Sequence, residues 1–141
     1  MHYFYIEPEV SGGLGDRTVI DRSSHPPIIS KLYYEMEGWL GDAILESFPV
    51  FIVTDEAKQG LIAAGLTGAI FADVDVTTPD NFRELYPNRK VPPFAWLKPV
   101  GQAGHDDFGT ASDGRLVVSE RALDVLQTFG AANALVESFV G

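Results

Sequence analysis

The chain has no cysteine, which removes disulfides, thiolate nucleophiles and cysteine-held metals from consideration and fits a reducing compartment. No disulfide or metal staple is needed to explain its stability. With 141 residues it is long enough for one domain that buries roughly two thirds of the surface its unfolded form exposes. Basic residues are scarce: 10 Lys and Arg face 20 Asp and Glu, a formal charge of −10. A nucleic acid or an anionic membrane surface needs a basic footprint, so both are disfavoured as ligands. A basic protein partner suits this charge better, and the plainer account is that the charge only keeps the protein soluble. No apolar run approaches the roughly 18 residues of a membrane-spanning helix. The start, Met1-His2-Tyr3-Phe4, lacks the basic lead of an export sequence. These absences predict a soluble, cytoplasmic protein.

What is present is pattern. Leu116 to Phe129, LVVSERALDVLQTF, passes from an apolar run into an amphipathic helix at a polar cap, Ser119, with Glu120 at the positive helix end. Ala122, Val125, Leu126 and Phe129 recur at helical spacing, and Gly130 stands where a helix commonly stops. Phe48 to Val53, FPVFIV, reads as a central strand covered on both faces. It runs into the capping pair Thr54-Asp55, a helix with Ala57, Leu61 and Ala64 on one face, Gly65, and a strand over 68–76. Sliding the chain by about 65 positions superposes these stretches. Val53 falls on Val118, Thr54 on Ser119, Ala57 on Ala122, Leu61 on Leu126, Gly65 on Gly130 and Ala69 on Ala134. The reading is two β-α-β units, with convergence of capped helices as the competing account.

Around them, His2, Phe4 and Ile6 alternate with Tyr3, Tyr5 and Glu7, a half-buried strand that Pro8 places at a sheet edge or ends. Ser11 to Gly15 is a glycine-rich loop without a phosphate-binding pattern. Thr18 to Ile20 is a short strand, and the Ser23 to Pro27 stretch holds a lone His25 without ligand-spaced partners. Lys31 to Trp39 alternates before a turn over 38–42. Thr78-Pro79 opens a short helix anchored by Phe82, Leu85 and Tyr86. Phe94 to Val100 is a strand, 101–114 an exposed, mobile loop, and Ala134 to Val140 the last strand.

Chemistry is less legible. His105, Asp106 and Asp107 form the most site-like local group, an imidazole beside two carboxylates suited to acid–base work, metal binding or a partner contact. The rival reading is a loop whose aspartates bond the backbone. Asp107-Phe108-Gly109 lacks the companion motifs of a kinase, and Ser119 lacks the glycines of a nucleophile elbow. Asp73 with Asp75, Glu35 with Glu37, and Glu7 with Glu9 share strand faces by the period of two. Neighbouring strands would gather them into a negative patch that docks a basic protein or is merely solvated. No catalytic, cofactor or metal set emerges, so no cofactor is expected.

FPVFIVTDEA, GAIFADVDV, PPFAWL, DDFG and above all RLVVSERALDVLQTFG followed by NALVESF resemble a family of bacterial immunity proteins encoded beside polymorphic toxins. The resemblance spans roughly Lys31 to the C-terminus. It implies a non-enzymatic α/β inhibitor that binds a cognate toxin domain in the cytoplasm, and it assigns no contact residue. The expectation is therefore one α/β domain, with α+β as the alternative. A mixed central sheet would carry two β-α-β units and at least three short helices, divided as 1–47, 48–76, 77–115 and 116–141. An enzyme using the 101–114 loop, and a structural or adaptor subunit that homo-oligomerises, are the other readings. If Leu61 and Leu126 are core anchors, Leu61→Ala and Leu126→Ala should each cost ~2–5 kcal/mol. Ser119→Ala should cost ~0.5–2 kcal/mol as a lost cap. Thermal melts check both, and leucine truncations that leave the midpoint unmoved contradict the helix faces.

Overall fold

Thr54 and Ser119 each end a strand and begin a helix, because an extended backbone there turns the hydroxyl onto a free N–H of the first turn. A computed structural model describes residues 2–24, 27–88 and 90–140, and His25 lies outside them. In it Thr54 Oγ1 accepts from Ala57 N at 3.2 Å and Ser119 Oγ from Ala122 N at 3.1 Å. The helices so capped are α1 (Asp55–Ala63) and α3 (Glu120–Phe129), and a shorter α2 spans Asp80–Leu85. Leu61, Leu126 and the unanticipated Leu123 are buried, whereas Ala64 and much of Phe129 are exposed.

The sheet arrangement corrects the sequence expectation. Strand residues outnumber helical ones about two to one, and among the described residues there is no central mixed sheet. One four-stranded sheet runs β6 (Ile44–Ser47), β7 (Val50–Thr54), β10 (Phe94–Pro99), β8 (Ala69–Ala72). Another runs β11 (Phe108–Thr110), β12 (Leu116–Ser119), β1 (Tyr3–Glu7), β13 (Leu135–Ser138). Every pairing in both is antiparallel. The strands flanking α1 are therefore not neighbours, because β10 lies between β7 and β8; β1 likewise lies between β12 and β13. Neither strand–helix–strand stretch is a β-α-β unit with paired strands. The α/β assignment gives way to a mainly β fold with three short helices among the described residues.

The smaller elements hold further corrections. A three-stranded sheet, β2 (Gly12–Leu14), β5 (Tyr33–Met36) and β9 (Asp75–Thr77), covers the outer side of the first sheet, and β3 (Val19–Asp21) pairs with β4 (Ile28–Lys31). The expected glycine-rich loop is thus strand β2, and a Cβ on Gly12 would overlap the Glu35 carbonyl. The expected strand over 68–76 is two strands in two sheets, β8 and β9. β1 does stop before Pro8 but is interior to its sheet. The 101–114 loop carries β11, with Phe108 fully buried, so it is not the exposed segment its composition suggests.

Two apolar clusters result. Ile44, Phe51, Val53 and Leu97 of the first sheet face Ile6, Phe108, Leu116 and Val118 of the second, with Ala57, Leu61, Ala122 and Leu126 of the helices among them. The opposite face of the first sheet, Leu45, Val50, Ile52 and Trp96, packs on Tyr34, Met36 and Phe82. Phe129 rests on α1 where Gly60 leaves room, since a Cβ there would overlap its ring.

Candidate functional site

The two halves match in detail, and the match decides which side chains stand out. Val53 pairs with Ile44 and Ala95, and Val118 with Phe108 and Phe4. Thr54 N donates to Ala43 O at 2.8 Å and Ser119 N to Asp107 O at 2.9 Å. Asp55 N donates to Pro93 O at 2.9 Å and Glu120 N to His2 O at 3.1 Å. Ala43 and Asp107 thus occupy one place in the two halves, and Glu56 and Arg121 another.

Asp107, only 6% exposed, is a structural hub. Ser119 Oγ donates to its Oδ1 at 2.5 Å, while Thr67 N and Arg121 Nη2 each donate to Oδ2 at 2.9 Å. Burial works against its charge, and the donors of Ser119, Arg121 and Thr67 overcome that and hold the carboxyl below its ordinary range. Asp42, 3% exposed, does the reciprocal work. Its carboxylate accepts from Asn133 N and Nδ2, both at 2.9 Å. Asp107 therefore grips the loop after α1, and Asp42 the loop after α3. The sequence reading missed Asp42, whose only signal was an aspartate shortly before an apolar strand.

The anticipated trio does not converge. Asp106 Oδ2 accepts from Gln102 N at 2.7 Å, His105 gives its carbonyl to Tyr3 Oη at 2.9 Å, and the Asp107 carboxylate is buried among the donors above. Among the described residues no three His, Asp or Glu side chains are grouped to hold a metal ion. Of the acidic pairs, Glu35 and Asp75 do come together: β5 and β9 are neighbours, with Tyr33 opposite Asp75 and Glu35 opposite Thr77 on one outer face. Cations temper that face. Arg17 and Lys31 each lie 5.3 Å from the Tyr33 ring centre. Glu37 is exposed just beyond β5, and Asp73 in the link between β8 and β9.

A different acidic feature was not anticipated. At the start of α1, Trp39, Ala43, Pro92, Pro93 and Phe129 wall a cleft of about 360 Å³, with Asp55 and Glu56 at its margin. Both carboxylates are exposed, and neither has an ion-pair partner among the described residues. Searches against protein-family models, curated proteins and solved structures find no match to this chain. No described helix is long and apolar enough to cross a membrane.

Two carboxylates should give the fold opposite responses to acid. Asp107 has a lowered folded pKa, so its contribution is present above the unfolded value of about 3.9 and is lost as pH falls through the folded value. Asp107→Ala should cost ~1–3 kcal/mol for each buried donor left without an acceptor. In melts across pH it should also lessen the loss of stability expected below about pH 4, by the share that Asp107 contributes. Glu46 is pushed from 4.5 up to about 6, first by burial and then by the charge of Glu7. Its favourable contribution is complete below 4.5 and is lost as pH rises through about 6. Glu46→Gln should raise the melting midpoint at neutral pH and flatten its dependence between pH 4.5 and about 6.

Proposed function

We propose that this chain is a non-enzymatic inhibitor that binds and occludes a basic protein, as an immunity protein occludes its cognate toxin domain. The observation that carries the reading is the formal charge of −10 together with its distribution. Glu35, Glu37, Asp73, Asp75, Asp55 and Glu56 lie at or near the surface without ion-pair partners among the described residues. Such carboxylates steer an oppositely charged partner into encounter and select against acidic ones. The likeness of the LVVSERALDVL block to immunity proteins supports the same reading. An enzyme built on the 101–114 loop has less in its favour, because Asp106 and Asp107 are committed to backbone and side-chain donors of the fold.

Producing the chain together with the toxin domain encoded beside it should restore growth of the poisoned cells. The purified pair should form a complex that loosens about tenfold or more between low salt and 0.5 M salt, as screening of opposed charges requires. Absence of protection, or a complex indifferent to salt, overturns the reading.

A further inference from the structure

The two halves of the fold differ at one pair of equivalent places beside their helix caps. At the start of α3, Arg121 lays its guanidinium against the buried Asp107, 2.9 Å from Oδ2. At the start of α1 the same two places hold Glu56 and Ala43. The internal cation is gone, a carboxylate stands in its stead, and the cleft walled by Trp39, Pro92, Pro93 and Phe129 lies open beside it. Among the described residues, the place that Arg121 fills in one half has no cation in the other.

We propose that this cleft receives an arginine side chain from a basic protein partner, an inference that rests on the binding function proposed above and assigns it a place. Charge supports the choice of occupant. Asp55 and Glu56 bring two negative charges to a helix end whose own positive partial charge is only about half a unit, so the described residues lining the cleft mouth are net negative. The walls support it too. Proline rings and the Phe129 edge offer apolar surface for the aliphatic stem of a long basic side chain while its head stays beside the carboxylates. A planar guanidinium can engage a carboxylate through two parallel hydrogen bonds, which an ammonium cannot. The Glu35–Asp75 face has no comparable claim, because Arg17 and Lys31 already stand over Tyr33 in its midst.

The test is a titration of the isotopically labelled full chain, followed by amide NMR, with N-acetyl-arginine amide and with a short peptide carrying arginines separated by glycines. N-acetyl-citrulline amide, of the same shape without charge, is the control. Arginine should shift the amides of residues 54–57 and the Trp39 indole in a saturable, salt-sensitive way, and citrulline should not. Glu56→Arg, which copies the other half, should weaken the response about tenfold or more, as the loss of an attractive charge and gain of a repulsive one predicts. Asp55→Asn with Glu56→Gln should weaken it without adding a cation, and a melting curve confirms that both variants are folded. Saturable shifts confined to other acidic positions, with none at the cleft, overturn the assignment while leaving a basic partner in place. Equal response to citrulline, or a response that Glu56→Arg leaves intact, also overturns it. If the chain protects against its toxin yet binds it undiminished as Glu56→Arg, the inference fails and the proposed function stands; if it gives no protection at all, the function fails as well.

Discussion

A carboxylate shut away from water must find donors, and Asp42 and Asp107 each reach across to the opposite half of the molecule for one of theirs. Asp107 holds Thr67, in the loop after α1, and Asp42 holds Asn133, in the loop after α3. The backbone repeats the exchange: Ala43 N donates to Gly130 O at 2.6 Å and Phe108 N to Thr67 O at 3.1 Å. Reciprocal contacts of this kind are those of an isologous interface, here closed within one chain. They bring the two helices together over a common core, so neither half can bury its inner face without the other. The cost of leaving a buried carboxylate unpaired, several times that of an ordinary surface contact, makes this register hard to evade.

The same reciprocity explains why the sequence misled about topology. Comparing the stretches around Thr54 and Ser119 correctly exposes a repeat of cap, helix face and terminating glycine. It says nothing of what lies between the flanking strands, because the inserted strand comes from outside the compared segment in both halves. For α1 it is β10, which follows in the chain, and for α3 it is β1, at the N-terminus. The signal was nonetheless written. Tyr3-Phe4-Tyr5-Ile6-Glu7-Pro8 and Phe94-Ala95-Trp96-Leu97-Lys98-Pro99 both spell aromatic, variable, aromatic, aliphatic, charged, proline. They pair in the same register, Tyr3 opposite Ser119 and Phe94 opposite Thr54. One slide along the chain cannot reveal both correspondences, since the second half begins its pattern at the end of the molecule and finishes it at the start.

Legibility falls off for groups whose role depends on distant partners. The caps at Thr54 and Ser119 were readable because the N–H groups they accept from lie three residues away. Asp107 was conspicuous as one of three adjacent polar residues, but its meaning rests on Thr67, 40 residues distant. Asp42 was silent for the same reason, its partner being 91 residues away. The glycine-rich stretch at 12–14 looked like a loop because propensity knows nothing of Glu35, whose carbonyl lies where a Cβ on Gly12 would have to go.

Repetition also separates what the fold demands from what it leaves open. Positions that carry the cap, the inward helix face and the paired strand ends are alike in the two halves, because changing any of them would unseat a buried group. Glu56 and Arg121 sit at the exposed second position of their helices, where the scaffold tolerates either sign. Their divergence is coupled to a second one: where Arg121 has Asp107 to pair with, the corresponding place beside Glu56 holds Ala43. A pair lost together by neutral drift need not leave a carboxylate in place of the guanidinium, since any small polar residue would satisfy an exposed helix position. An acid is itself favoured at this end of a helix, and here it stands next to a second acid and beside an apolar cleft. The asymmetry between the halves is thus one that the shared packing leaves free, and it falls at the cleft to which we assign a basic side chain.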